Sequence, residues 1–146
     1  MIKHHTTSEN ETEDFAAGLA KDCKPGDVLA LRGGLGAGKT AFVRGLARGL
    51  GIDCAVSSPT FAIVHEYRGH SAVLYHFDMY RIESYDDLYS TGFFDYIGKG
   101  VLAVEWSENI ENALSNERIE VRFEQGDGED ERLIEIATCR GAEKFE

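Results

Sequence analysis

Leu31-Arg32-Gly33-Gly34-Leu35-Gly36-Ala37-Gly38-Lys39-Thr40 is the stretch that decides how this chain is read. Gly33 and Gly38-Lys39-Thr40 stand at the G-x-x-x-x-G-K-T spacing of a phosphate-binding P-loop, and the spacing has a mechanical reason. Glycines let successive backbone N–H groups curl round the α- and β-phosphates. Lys39 then reaches the β- and γ-phosphates, and the Thr40 hydroxyl takes a Mg²⁺ position. The flanks agree. Residues 28–31, Val-Leu-Ala-Leu, are an uninterrupted apolar run, as a short buried strand is, and after the loop Val43, Leu46, Ala47 and Leu50 recur at helical spacing until Gly51. Strand, loop and helix in that order predict a nucleoside triphosphate site cradled by Gly33, Gly34, Leu35, Gly36, Ala37, Gly38, Lys39 and Thr40.

Upstream, Ser8 followed by Glu11 and then by Phe15, Ala16, Leu19 and Ala20 reads as a capped amphipathic helix. Its acidic first turn suits the helix dipole, and it ends near Cys23, ahead of Pro25-Gly26. The residues before it are polar. Downstream of the P-loop helix, Ser57-Ser58-Pro59-Thr60 is a turn and residues 61–67 read as a strand; Gly69-His70 then returns the chain as a second strand over 72–77. Ser84-x-x-Asp87 caps a short helix ending near Thr91-Gly92, and residues 101–104, Val-Leu-Ala-Val, form a fully apolar strand. Residues 118–124 and 132–138 alternate apolar and charged side chains around Gln125-Gly126-Asp127-Gly128, the pattern of a hairpin.

Composition narrows the function classes. The 146 residues, 42% of them hydrophobic, fit one compact domain over 1–146. Fifteen basic against 26 acidic side chains leave a net charge of −11, which repels a phosphate backbone and argues against autonomous nucleic-acid binding. Any contact with nucleic acid then runs through a partner. Cys23, Cys54 and Cys139 are widely spaced with no C-x-x-C, so neither a disulfide framework nor a zinc site is indicated. No apolar run approaches the length of a membrane span or signal sequence, and the expected location is the cytoplasm, away from membranes.

Two acids stand at the ends of strand patterns: Asp78 after Leu74-Tyr75-His76-Phe77, and Glu105 after residues 101–104. Ligands of open α/β sheets bind outside the carboxyl ends of the strands, so both carboxylates can converge on the P-loop. Such a pair supplies a Mg²⁺ position and a water-orienting base, and the residues alone leave open which acid does which. Thr60, in the turn after the P-loop helix, offers a hydroxyl where many P-loop proteins sense the γ-phosphate. Arg44 and Arg48, one turn apart, read as a solvated helix face. His65 and His76 fall in strand patterns and His4, His5 and His70 in polar stretches; none has zinc-ligand spacing, and no metal or acid–base role is assigned to them. Trp106, the single tryptophan, reads from its position as packing.

Taken together, the P-loop over residues 33–40, Ser58-Pro59-Thr60-Phe61, Asp78-Met79-Tyr80-Arg81 and Glu105-Trp106-Ser107-Glu108 resemble, in order and interval, the TsaE (YjeE) family. These are bacterial ATPases needed for threonylcarbamoyl-adenosine modification of tRNA. The resemblance runs from the N-terminal helix to about Leu114, while residues 118–146 match only as a generic strand pair. It implies a P-loop NTPase fold, a three-layer α/β arrangement with a central mixed β-sheet flanked by helices. It further implies slow ATP hydrolysis in concert with the TsaD and TsaB partners, with tRNA met only indirectly. By motif, Lys39 holds phosphates, Thr40, Asp78 and Glu105 surround Mg²⁺, Thr60 lies near the γ-phosphate and Trp106 matters for activity. Gly92-Phe93-Phe94-Asp95 departs from the Gly-x-x-Glu that family members often show, with Asp95 at the acidic position.

Two other readings share the P-loop. A small-molecule kinase uses the same phosphate cradle, but the chain has no arginine-rich lid segment. A GTP-dependent switch would use Asp95-Tyr96-Ile97-Gly98, which has the D-x-x-G spacing; it follows a helix pattern rather than a strand, and no Asn-Lys-x-Asp selects guanine.

Overall fold

The computed structural model describes residues 2–33, 38–57, 59 and 63–139. In chain order they form β1 (Ile2–Thr6), α1 (Glu9–Ala20), β2 (Val28–Arg32), α2 (Lys39–Gly49), β3 (Val64–Arg68), β4 (Val73–Asp78), α3 (Tyr85–Ser90), α4 (Phe93–Tyr96), β5 (Val101–Glu105), a 3-10 helix (Ser107–Ala113), β6 (Arg118–Gln125) and β7 (Arg132–Cys139). The strands make one seven-stranded sheet in the order β1-β7-β6-β2-β5-β4-β3. β6, β2, β5 and β4 are parallel, and β3, β7 and then β1 add antiparallel edges, so the sheet is mixed.

Period-2 alternation decides which side chains go to which face. Leu29, Leu31, Leu74, Val101 and Ala103 point one way and pack with Ala16 and Ala20 of α1 and Phe42, Val43 and Leu46 of α2. Val28, Tyr75, Phe77, Leu102 and Val104 point the other way and meet Leu88 of α3, Phe93 of α4 and Ile110 of the 3-10 helix. Three layers result. Strands β2, β4 and β5 are covered on both faces, which is why their sequences are nearly continuous apolar runs. On β6 and β7, by contrast, Val121, Phe123, Ile134 and Ile136 join the α1/α2 core while Arg122, Glu124 and Glu135 alternate outward, which is the origin of their mixed pattern.

Local signals set the element ends. The Ser8 Oγ accepts from the Glu11 N–H at 3.1 Å and starts α1; the Ser84 Oγ accepts from the Asp87 N–H at 3.1 Å and starts α3. Helix α1 ends at Ala20, a little before Cys23. β1 has no counterpart in the sequence reading, because Ile2, Lys3, His4 and His5 are all exposed and carry no apolar alternation. Backbone pairing with β7 holds it, aided by the His4 ring stacked 4.1 Å from Phe15 and a buried Thr6–Thr12 hydroxyl pair at 2.8 Å. The short α4 and the 3-10 helix are likewise additions.

Helices α1 and α2 approach closely. A Cβ on Gly45 would overlap the Glu13 carbonyl and the Ala16 side chain, and one on Gly49 would overlap the Ala17 carbonyl and Ala20. Arg44 and Arg48, expected on a solvated face, are partly exposed there and also reach across the rim to Glu13 at 3.4 Å and Asp14 at 2.6 Å. Overpacking such a contact costs about 1–3 kcal/mol. Gly45→Ala should therefore lower the urea-unfolding free energy by that amount. Gly18→Ala, on the exposed side of α1 with nothing within 4 Å of the added carbon, should raise it by about 0.5–1 kcal/mol. A Gly45→Ala chain as stable as the wild type would contradict the close approach.

Candidate functional site

The sheet register builds the site. Leu31 at the end of β2 pairs with Glu105 at the end of β5, and Glu105 pairs with Asp78 at the end of β4. The two acids are thus neighbours on the edge of the sheet where β2 runs into Gly33 and α2 begins at Lys39. Parallel strands with crossover connections place their carboxyl ends together, and this sheet does so for both acids. Residues Gly34, Leu35, Gly36, Ala37 and Thr60, and with them Ser58 and Phe61, lie outside the described residues.

Lys39 is the centre of the arrangement. Its side chain is only 5% exposed; Nζ donates to the Gly33 carbonyl at 2.8 Å, stands 4.0 Å from Glu105 Oε1 and lies 4.5 Å over the Trp106 ring. A cation over an indole face is attracted by the ring quadrupole. Burial pushes the ammonium below its ordinary value, while the carboxylates of Glu105, Glu108 and Asp78, in that order, hold it up. Glu105 is buried as well, and its second oxygen, Oε2, is 2.5 Å from His76 Nε2. Asp78 is half-buried; its Oδ1 accepts from the Tyr80 N–H at 2.9 Å, and its own N–H donates to the Ile63 carbonyl at 2.8 Å.

The segment after Glu105 is stitched to both neighbouring strands. The Ser107 hydroxyl donates to the Leu31 carbonyl at 3.2 Å, the Met79 N–H to the Glu105 carbonyl at 3.0 Å, and the Asn109 amide to the Met79 carbonyl at 2.9 Å. Trp106 is forced into the left-handed region at φ 56°, and Ile63, on the opposite flank of Asp78, at φ 67°. For a β-branched or bulky residue this conformation is strained, and strain of this kind collects at functional sites. The Trp106 ring rests 4.9 Å from Tyr80 beside a cavity of about 390 Å³ lined by Tyr80, Arg81, Glu83, Trp106 and Asn109. On the far side, the Tyr67 hydroxyl donates to the Ser57 carbonyl at 3.1 Å.

The donor set fits phosphate and a hard cation. Gly38 caps α2 at φ 98° and, as a glycine, offers no side-chain acceptor to the first-turn N–H groups. Thr40, half-buried, follows in that turn. Glu108 Oε1 is buried with no hydrogen-bond partner among the described residues, although its charge acts on Lys39. No group of three or more His, Cys, Asp or Glu side chains arranged for a metal occurs among the described residues. A Mg²⁺ ion needs fewer, since it binds through one or two carboxylates and fills its shell with phosphate oxygens and water.

The sequence assigns no metal or acid–base role to any histidine, and the contact it does not reveal is the one between His76 and Glu105. The strand period puts His76 on the face of Asp78, and pairing with β5 puts that face level with Glu105. A histidine inside a buried run, two residues before a strand-end acid, was the available signal. Asp95, by contrast, is exposed on α4, and Gly98 is a turn residue at φ 89°, so the D-x-x-G spacing lies on a short helix and turn and not at a strand end.

The depressed Lys39 value has a measurable sign in the protein free of metal and nucleotide. Folded Lys39 releases its proton at a lower pH than unfolded Lys39, so between the folded value and 10.5 the unfolded state binds more protons and stability rises with pH. Unfolding free energies of the wild type measured against Lys39→Met should therefore diverge in favour of the wild type as pH increases towards 10.5. A difference that shrinks over that window would mean the ammonium is not penalised by burial.

Comparison with known proteins finds several that are similar to this chain. The family model described as threonylcarbamoyl adenosine biosynthesis protein TsaE matches residues 6–134, which carries the likeness past Leu114 and through most of the β6–β7 hairpin. A tRNA threonylcarbamoyladenosine biosynthesis protein TsaE of Bacillus subtilis is 46% identical over 135 residues, covering 92% of this chain and 84% of the relative. One from Rickettsia conorii is 38% identical over 136 residues, covering 92% of this chain and 77% of the relative. The crystal structure of Bacillus subtilis YdiB superposes with a TM-score of 0.78 at 40% identity, over 95% of this chain and 86% of that one. With a family model matching most of its length and relatives this similar, the chain belongs to the TsaE family.

Proposed function

We propose that this chain is a cytoplasmic ATPase with a P-loop NTPase fold that binds ATP and Mg²⁺, hydrolyses ATP slowly, and supports threonylcarbamoyl-adenosine modification of tRNA together with TsaD and TsaB partner proteins. The observation that carries this reading is Lys39, a buried ammonium at the N-terminus of α2 resting on a backbone carbonyl and facing two strand-end acids. Relatives named for tRNA threonylcarbamoyladenosine biosynthesis support the pathway. The net charge of −11 supports an indirect route to tRNA through the partners.

In this reading the backbone N–H groups from Gly33 to Gly38 and the Lys39 ammonium bind the phosphates, with Lys39 exchanging its contacts to Gly33 and Glu105 for phosphate oxygens. Thr40, Asp78 and Glu105 hold the metal position, and Thr60 faces the γ-phosphate. Bound Mg²⁺ supplies charge neutralisation during phosphoryl transfer. Glu105 or Asp78 orients the water that attacks in line, and Trp106 backs Lys39 so that the ammonium stays in the site when it changes partners.

Two sets of variants test the reading. Lys39→Ala should abolish hydrolysis and weaken ATP binding while the chain remains folded by thermal melting. Glu105→Gln or Asp78→Asn should slow hydrolysis by about 10²-fold while much of the ATP affinity survives. Reconstituted multiple-turnover tRNA modification with TsaD, TsaB and threonylcarbamoyl-adenylate should require this chain and ATP. Equal modification without the chain, or full support by Lys39→Ala, would overturn the assignment. ADP production that depends on a small hydroxyl acceptor would instead identify a kinase.

A further inference from the structure

His76 is fully buried on β4, and a buried imidazole is costly unless it is hydrogen-bonded. Its neighbours on the same face of the sheet are Leu74 and Asp78 along the strand, Ala103 across it on β5 and His65 across it on β3. The Tyr67 ring stands 6.2 Å away and forms part of its surroundings. The one polar contact of the imidazole among the described residues is Nε2 to Glu105 Oε2 at 2.5 Å. Nδ1 is buried and meets no hydrogen-bond partner among the described residues.

These facts fix the direction of the bond. With the proton on Nδ1, a buried N–H would go unsatisfied and the Nε2 lone pair would face a carboxylate oxygen; with the proton on Nε2, the ring donates to Glu105 and leaves only a lone pair unmatched. Glu105 in turn has its two oxygens in different surroundings: Oε2 on His76 and Oε1 turned to Lys39 at 4.0 Å. Remove the imidazole, and the carboxylate loses the partner that keeps it from turning both oxygens to Lys39.

We propose that His76 is the positioning residue of the Glu105 carboxylate: its Nε2–H holds Oε2, so that Oε1 alone stays directed at the Lys39 end of the site, where ATP and metal bind in the function proposed above. The inference rests on that reading for its consequence in catalysis, and on the geometry of β4 and β5 for the bond itself. Carboxylates that serve a site are themselves held by outer hydrogen bonds, and such bonds fix a site's working geometry. His76 does not touch the reacting atoms; it acts through Glu105.

Three measurements on the full chain decide it. The first needs no activity: the imidazole N–H proton of His76 should resonate far downfield in the wild type and move upfield in Glu105→Gln, where the acceptor is a neutral amide. A resonance indifferent to Glu105→Gln overturns the proposal. In the second, single-turnover hydrolysis of MgATP by His76→Leu should fall by ~10-fold or more with KM changed less than about 3-fold, and His76→Gln, which keeps an N–H donor, should recover part of the rate. In the third, the double variant His76→Leu/Glu105→Gln should be no more than about 2-fold slower than Glu105→Gln alone, because a residue that acts only through Glu105 has nothing left to do. Multiplicative losses would make His76 a separate structural contributor and overturn the proposal. Should His76→Leu fail to fold, the proton resonance and His76→Gln carry the decision. Normal turnover in His76→Leu with slow Glu105→Gln overturns the positioning role alone, whereas normal turnover in Glu105→Gln overturns the role of Glu105 proposed above and this one with it.

Discussion

An ammonium buried at the start of a helix needs negative charge close by, and the Lys39–Glu105 pair, 4.0 Å apart with both side chains nearly inaccessible, is the constraint around which this fold is arranged. To bring the two together, α2 has to begin directly above the ends of β2 and β5. That position depends on α1 lying flat against α2, which only glycine permits at Gly45 and Gly49. It also depends on the parallel order β6-β2-β5-β4, which sets Leu31, Glu105 and Asp78 side by side. The strained turn at Trp106 then delivers the indole under the ammonium, and the Ser107 and Asn109 hydrogen bonds hold that turn in place.

A buried ion pair is weak evidence for stability, because desolvation offsets most of the attraction. Burial in fact lowers the proton affinity of Lys39 despite three carboxylates acting to raise it. A site of this kind makes better sense as a device for exchange than as a brace. The ammonium is already buried and poised against a carbonyl and a carboxylate, so in the function proposed above a multiply charged phosphate would replace existing contacts without first stripping water from the lysine. Glu108, with a buried unmatched oxygen, and half-buried Asp78 leave acidic capacity for a cation once the ammonium turns to another partner.

Much of this was legible in the residues, for reasons that can be named. The P-loop spacing and its flanks predicted β2 and α2, because a glycine-rich turn between an apolar run and a 3.6-period pattern admits few other structures. The fully apolar run at β5 and the alternation at β6 and β7 marked those segments as strands; that β5 is covered on both faces and that β6 and β7 turn their apolar side chains to the α1/α2 core are findings of the structure. Asp78 and Glu105 were read as strand-end acids, and the register sets them opposite each other. What escaped was tertiary. β1 is an exposed edge strand whose side chains carry no pattern, since its place is set by backbone hydrogen bonds to β7. The ion pairs of Arg44 and Arg48 depend on where α1 docks. His76 was passed over because its partner lies 29 residues away on another strand, and only the β4–β5 register brings them together.

In the function proposed above, Lys39 and Glu105 hold each other's place until phosphate and metal arrive. A crystal structure of this chain with Mg²⁺ and a non-hydrolysable ATP analogue tests it most directly. The expected result is Lys39 Nζ on phosphate oxygens and no longer on the Gly33 carbonyl, with Glu105 and Asp78 turned to the metal or its bound water. A nucleotide bound elsewhere, with Lys39 still on Gly33 and Glu105 still facing it, would contradict the account.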